Sequence, residues 1–235
     1  YYRAPHIYLG FPTRYLEKPQ SKHIKQLPPL ELRNKLKEVD PRSATALSDA
    51  LFMSSRDGVS FKRWDESFLR PGPQVENRWI YGDNFQGYGL YETFSSHGEP
   101  EISMLFNEGS WRDGKLLFRR YTIRPDGFVS VNARYSGGNL TTKPLTFEGS
   151  ELVLNYATSA AGSVTVEVLN ADGSPIPGFS LYDAEELIGD TTSQVVTWNG
   201  GEQLKSLAGQ AIRLRFHLKE ADLYSFQFKT LLESR

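Results

Sequence analysis

The tightest constraint on this chain is a two-residue alternation in its second half. Val164, Val166 and Val168 alternate with Thr165 and Glu167. Ile212, Leu214, Phe216 and Leu218 alternate with Arg213, Arg215 and His217, and Tyr224, Phe226 and Phe228 alternate with Ser225 and Gln227. A period of two puts every apolar residue of a run on one face, so each run reads as a half-buried strand. Asn139–Phe147, Glu151–Ala157 and Gln194–Trp198 are further strand candidates. Asn170-Ala171-Asp172-Gly173 and Asn199-Gly200-Gly201 carry turn chemistry. Several short strands at this spacing, each with one apolar face, predict a β-sandwich over residues 135–235.

The first half is also mostly β, with less regular strands. They are expected at His6–Phe11, Ala50–Ser54, Val59–Trp64, Tyr88–Phe94, Ile102–Phe106, Lys115–Ile123 and Gly127–Ala133. A polar stretch, residues 17–43, interrupts them. Pro29 can open a short helix there, with Leu32, Leu36 and Val39 on one face and Pro41 closing it. This stretch reads as a surface insertion outside the core. Composition shifts between the halves. Three of the four Trp lie in the first, which has a slight basic excess, whereas the second is acidic and rich in Val, Thr, Ser and Gly. A boundary is expected at or shortly after Asp126-Gly127.

Three Asp-Gly pairs punctuate the first half. Ser54–Trp64 reads as strand, turn and strand, with Asp57 satisfying turn amides and Trp64 packing between sheets. Trp111-Arg112-Asp113-Gly114-Lys115 and Arg124-Pro125-Asp126-Gly127 read as two more hairpins. Repeated strand, Asp-Gly, strand units with aromatic punctuation suggest propeller blades.

These residues carry a resemblance. The run Ser-Arg-Asp-Gly-x-x-Phe-x-x-Trp resembles the blade hairpins of five-bladed β-propeller glycoside hydrolases of families 32 and 43. The strings RAPHIYLGFPTRY, DALFMSSRDG, YGDNFQGYGLYET and RRYTIRPDGFVSV look like a group of uncharacterised bacterial proteins with a family-32-like propeller followed by a β-sandwich. SGGNLTTKPLTFEG, LNYATSAAGSVTVEV and LRFHLKEADLYSFQF match that sandwich. The resemblance implies an all-β chain, with about two blades of a partial propeller over 1–134 and a sandwich over 135–235. The chain opens YYRAPHIYLGF inside an apparent strand, with no initiating Met. It is therefore expected to be part of something longer, with the missing N-terminal blades of the same protein as a partner.

The function implied is hydrolysis of glycosidic bonds, with carbohydrate as substrate. The alternative is a non-catalytic carbohydrate-binding or structural module. Family 32 and 43 enzymes use three acidic residues on early and middle blades, and hydrolysis needs at least two carboxyls across the scissile bond. The first of these would lie before Tyr1. The family's Arg-Asp-Pro has a counterpart in Arg3-Ala4-Pro5, where Ala4 replaces the stabilising carboxylate. Glu92, sharing a strand face with Tyr88 and Leu90, is the candidate general acid, because a carboxyl buried near apolar groups has a raised pKa. The other reading of Glu92 is an ion pair within the sheet. Asp49 is the second catalytic candidate, able to orient Arg3 or bind sugar hydroxyls. Arg3, His6, Asp83, Asn84 and Tyr88 are the substrate-binding candidates. Tyr81, Tyr91, Trp79 and Trp111 can stack on sugar rings, and Glu108-Gly109-Ser110-Trp111 reads equally as a hairpin tip. In the sandwich, Trp198 and Tyr182 are the only such candidates.

Other classes fall away. The net charge is −1, so the chain lacks the basic excess that nucleic-acid binding needs. No window approaches the ~18 apolar residues of a membrane-spanning helix. The absence of Cys excludes disulfides, thiolate metal sites and Cys nucleophiles. It leaves the compartment open, secreted and periplasmic placements included. No HExxH, GxSxG or GxxxxGKS motif is present. No cofactor is expected. Some family-43 propellers hold calcium, but no ligand cluster here points to it. Asn139-Leu140-Thr141 matches a glycosylation sequon, informative only in a secreted eukaryotic protein.

Overall fold

The computed structural model describes residues 1–75, 78–111, 116–199 and 203–230. The fold is all-β in character, with 43% of residues in strands and 10% in helices, and none of the antiparallel sheets among the described residues is closed. The chain separates into two compact units, Tyr1–Ile123 and Arg124–Arg235.

In the first unit, β1 (Tyr8–Gly10) and β2 (Thr13–Glu17) come first, followed by α1 (Leu30–Val39), α2 (Pro41–Thr45), β3 (Ala46–Ala50), β4 (Met53–Ser55) and β5 (Lys62–Arg63). Then come β6 (Tyr91–Phe94), β7 (Pro100–Glu108) and β8 (Leu117–Ile123). They form three antiparallel sheets: β1-β4-β5, β2-β3 and β6-β7-β8. The expected strand at Ala50–Ser54 is split. Leu51 and Phe52 lie between β3 and β4, both buried, with Phe52 packed on Phe11, Trp64 and Phe68 at ring separations of 5.6, 5.1 and 5.7 Å. The first Asp-Gly turn forms as read. Asp57 Oδ1 accepts from the Val59 and Ser60 amides at 2.9 and 2.7 Å, and these bonds hold its carboxyl far below the usual range. Gly58 takes φ +74°, a region that disfavours a side chain. The second Asp-Gly pair, Asp113-Gly114, lies outside the described residues.

Residues 17–43 are more than surface. Helix α1 forms where Pro29 and the Leu32, Leu36, Val39 spacing place it. Leu36 and Ala44 are buried with Ile80, and Leu32 packs against them. Arg33, 4% exposed, is buried without a carboxylate partner among the described residues. Its Nη1 donates to the Ala44 carbonyl at 2.7 Å and its Nε to the Leu27 carbonyl at 3.3 Å; Nη2 donates to the Trp79 carbonyl.

The second unit contains β9 (Val131–Ala133), β10 (Gly138–Thr141), β11 (Glu151–Asn170), β12 (Asp190–Val195) and β13 (Ile212–Lys229). They make one antiparallel sheet in the order β10-β13-β11-β12, with β9 also on β13. The two strands expected at Glu151–Ala157 and Val164–Val168 are one long strand. Its register against β13 breaks between Thr158 and Ser163. Gly162 sits at that break, where an added Cβ would fall 2.4 Å from the Glu220 carbonyl oxygen, so only a residue without a side chain allows the approach. Two of the alternating apolar rows meet as read: Leu140, Phe216 and Val166 are neighbours across three strands, and Phe179, Leu187, Leu204 and Leu207 join the same core. In the third, Phe226 and Phe228 pack on the core, but past the register shift Leu223 takes the buried side in place of Tyr224.

The third Asp-Gly pair does not close a hairpin. Strand β9 pairs with β13, not with β8. Arg124 accounts for this. Its guanidinium donates to Asn155 Oδ1 (2.9 Å), Asp190 Oδ1 (2.6 Å) and the carbonyls of Tyr156 and Thr191 (3.1 and 2.8 Å), and it stacks on Tyr224 at 4.2 Å. No helix among the described residues is long and apolar enough to cross a membrane.

Candidate functional site

Strands β2 and β3 place Arg14 directly opposite Asp49. The pair is bidentate, Nε to Oδ1 at 2.9 Å and Nη2 to Oδ2 at 2.6 Å, while Nη1 donates to the Asp65 carbonyl at 2.9 Å. The hydrogen bond to Asp49 outweighs burial and holds the Arg14 guanidinium above its ordinary pKa. Both Asp49 oxygens are thereby engaged. This pair forms one wall of a cleft of about 360 Å³, within the size range of small-molecule sites. Leu16, Leu47 and Trp79 supply apolar surface, and Asp65, Glu66 and Arg70 add charge. Trp79 adopts φ +66°, which is costly for a bulky residue. Its indole Nε1 donates to the Gly72 carbonyl at 2.9 Å, and Arg33 grips its carbonyl.

The residue of β3 just before Asp49, Ser48, points to the opposite face, as strand alternation requires. It is 2% exposed and organises a buried polar knot. Ser48 Oγ donates to the Asp83 carbonyl at 2.7 Å and accepts from the Gly82 amide at 3.1 Å, and Asn84 Nδ2 donates to the Ser48 carbonyl at 3.1 Å. Asn107 ties the same loop to β7: its side-chain oxygen accepts from the Phe85 amide at 2.6 Å.

Two carboxyls in this knot are pushed apart. Asp83 is 1% exposed; Oδ1 accepts from the Ser110 amide at 2.8 Å, and Oδ2 has no partner. Burial raises its pKa against the bonds from Ser110 and Gly109, and the Glu108 charge pushes the same way. Burial also pushes the Glu108 carboxyl up, but the Tyr121 hydroxyl, Arg119 (2.7 Å) and Arg78 (3.7 Å) outweigh it and hold the pKa below the usual carboxylate range. Tyr121 is pushed up to about 12 by burial and by its bond to Glu108.

The sequence candidates therefore do not converge on one pocket. Asp49 lines the cleft, where it holds Arg14. Asp83 and Asn84 lie in the knot on the other side of β3. Glu92, expected to face inward, is exposed on β6, in a different sheet from Asp49. Along β6 only Thr93 is half-buried, so alternation leaves Glu92 on the exposed side, and Tyr88, expected on the same buried face, is 97% exposed in the loop before the strand. Arg3 and His6 are exposed in the turn preceding β1. Among the aromatics, Tyr81 meets Tyr15, Trp111 and Phe85 at ring separations of 5.2, 6.3 and 6.4 Å. In the second unit, Tyr182 is 99% exposed, and Trp198 donates to the Val166 carbonyl at 2.8 Å and packs on Phe179.

Sequence reasoning did not single out Arg33 or Arg14. Arg33 sat in a polar stretch without periodicity that would mark it as buried. Arg14 became visible only once β2 was paired with β3. Among the described residues no three His, Cys, Asp or Glu side chains gather as metal ligands. No family model, curated protein or solved structure matches the chain.

Proposed function

We propose that this chain is a carbohydrate-binding part of a glycoside-processing protein of the family 32 and 43 kind. The cleft beside β2 and β3 would hold a saccharide. The observation that carries this reading is the composition of that cleft: Trp79 and two leucines beside the fixed Arg14–Asp49 pair, with Asp65, Glu66 and Arg70 alongside. An indole covers the apolar face of a sugar ring, and charged side chains hydrogen-bond its hydroxyls. In the same reading the first unit consists of propeller blades, supported by its three-stranded antiparallel sheets, and the second is a β-sandwich, supported by its single apolar core. Preceding blades and a glycan are the partners.

Binding is favoured over hydrolysis by this chain alone. Hydrolysis needs one carboxyl that can carry a proton and a second across the bond. Asp49 is committed to Arg14, which suits a fixed carboxylate that orients hydroxyls and not a proton donor. Glycoside hydrolysis is the second reading, favoured by Asp83, whose raised pKa and open Oδ2 are those of a carboxyl able to keep its proton. It requires a further carboxyl from preceding blades and access to Asp83.

The test is titration of the chain with fructo-, arabino- and xylo-oligosaccharides, read by tryptophan fluorescence and calorimetry. At least one series should bind, and Trp79→Ala should weaken it by about tenfold, the loss of one stacking contact of ~1–1.5 kcal/mol. Equal binding by Trp79→Ala overturns the cleft assignment. Hydrolysis of these substrates by a longer protein, abolished by Asp83→Asn while the fold is retained, would favour the second reading.

A further inference from the structure

We propose that the outward face of β10, β13 and β11 in the second unit binds an acidic oligosaccharide, one that carries uronate carboxylates. The face is built by register. Asn139, His217 and Thr165 form one row across three strands, Thr141, Arg215 and Glu167 the next, and Lys219 pairs with Ser163 on the other side. The core residues Leu214, Phe216 and Leu218 alternate with these and point away, so every outward position of β13 from 213 to 219 is basic.

Two rows serve different ends. Glu167 Oε1 accepts from Arg215 Nη1 and contacts His217 Nε2, each at 2.9 Å. That cluster neutralises itself and fixes the imidazole. Arg213 is occupied by the carbonyls of Ala171 and Thr142 at 2.8 and 3.0 Å. Lys219 is different. It has no carboxylate partner among the described residues, and its ammonium lies 4.6 Å from the centre of the Tyr135 ring. Tyr135 is 64% exposed.

Beside Lys219 runs an open groove of about 400 Å³, lined by Asn139, Ser163, Thr165, His217 and the backbone of Gly137 and Gly138. The side chains of Asn139, Ser163 and Thr165 make no hydrogen bond among the described residues. A cation without a carboxylate partner, held over the Tyr135 ring next to amide and hydroxyl groups that make no hydrogen bond among the described residues, complements a ligand dense in hydroxyls and bearing a carboxylate. A neutral glycan would leave the Lys219 charge unused. A simple polyanion would leave the amide and hydroxyl row unused. This inference concerns the second unit and does not depend on the Trp79 cleft.

The test is calorimetric titration of the intact chain with an oligogalacturonate, its methyl ester and polyglutamate. The free acid should bind. Methyl esterification and Lys219→Met should each weaken binding by about tenfold, the loss of one charge-assisted contact. Thr165→Val should weaken it by about threefold, with unchanged thermal unfolding in both variants. Three results overturn the proposal: no binding of the free acid, equal affinity for acid and ester, or polyglutamate binding as tightly as oligogalacturonate. Titrating Lys219→Met with the neutral saccharides that address the Trp79 cleft keeps the two sites distinguishable: their binding should be unchanged, whereas a loss would mean that they also bind on this face.

Discussion

The two units are held together by different physics. The second unit has one continuous apolar core under long strands, with Leu152, Leu154, Val164, Val166, Val168, Leu214 and Phe216 at 0% exposure. The first has short strands, small apolar clusters and a set of buried polar groups. Nine of the eleven buried polar or charged residues among the described residues lie in it, Arg33, Asp83, Asn84, Asn107 and Glu108 among them. Buried polar groups are costly unless satisfied, and they fix geometry when they are. The first unit thus spends its interior on positioning loops, including the one that carries Trp79. The second spends its interior on stability and displays its polar chemistry on an open sheet face.

This contrast places the largest single-residue loss of stability in the apolar core. Phe216→Ala should cost about 3–5 kcal/mol, read from the urea midpoint of the full chain. A cost below ~1 kcal/mol would mean the core is not the main support of that unit. Arg33→Leu should cost less, about 3 kcal/mol, because it strips three carbonyls of a charged donor. It should also weaken saccharide binding by releasing Trp79, which Phe216→Ala does not touch directly. A stable Arg33→Leu variant with unaltered binding would separate α1 from the site.

Smaller effects sharpen the same contrast through pH. The Asp83 pKa is raised in the folded state, so its carboxyl costs stability as pH rises through that value. Asp83→Asn should therefore gain stability relative to the parent between acid and neutral pH. The Glu108 pKa is lowered, so its contribution is present above the unfolded-state value and is lost as pH falls through the folded one. Glu108→Gln should lose stability relative to the parent over the same rise. Urea midpoints measured from pH 3 to 7 should show opposite slopes for the two variants; parallel or flat differences contradict the assignment. The smallest effect is at the first Asp-Gly turn, where Gly58→Ala should cost about 1 kcal/mol.

What could be read in advance follows this division. Alternation is a local property, so the apolar rows of β11 and β13 stood out in the sequence, as did the Asp57 turn and the helix after Pro29. Pairing and polar burial are not local. Nothing in the string around Glu92 signals that β6 starts only at Tyr91 and leaves that carboxyl exposed. Nor does Arg124-Pro125-Asp126-Gly127 signal that Arg124 anchors four groups of the second unit in place of closing a hairpin. Asp49 stands out in the sequence as a sugar-binding or orienting residue, but its pairing with Arg14 does not, because Arg14 reaches it only through the β2–β3 register. Asp83 stands out from its place just before an expected strand, whereas the pull between it and Glu108 depends on a loop meeting β7.

The central claim is that the first unit presents a sugar-binding cleft whose stacking surface is Trp79. The most direct measurement is the saccharide affinity of the intact chain against its Trp79→Ala variant, by calorimetry, with thermal unfolding recorded for both. The expected result is binding that falls by about tenfold in the variant with an unchanged melt. Saccharide binding of equal strength in the two proteins, or none in either, contradicts it.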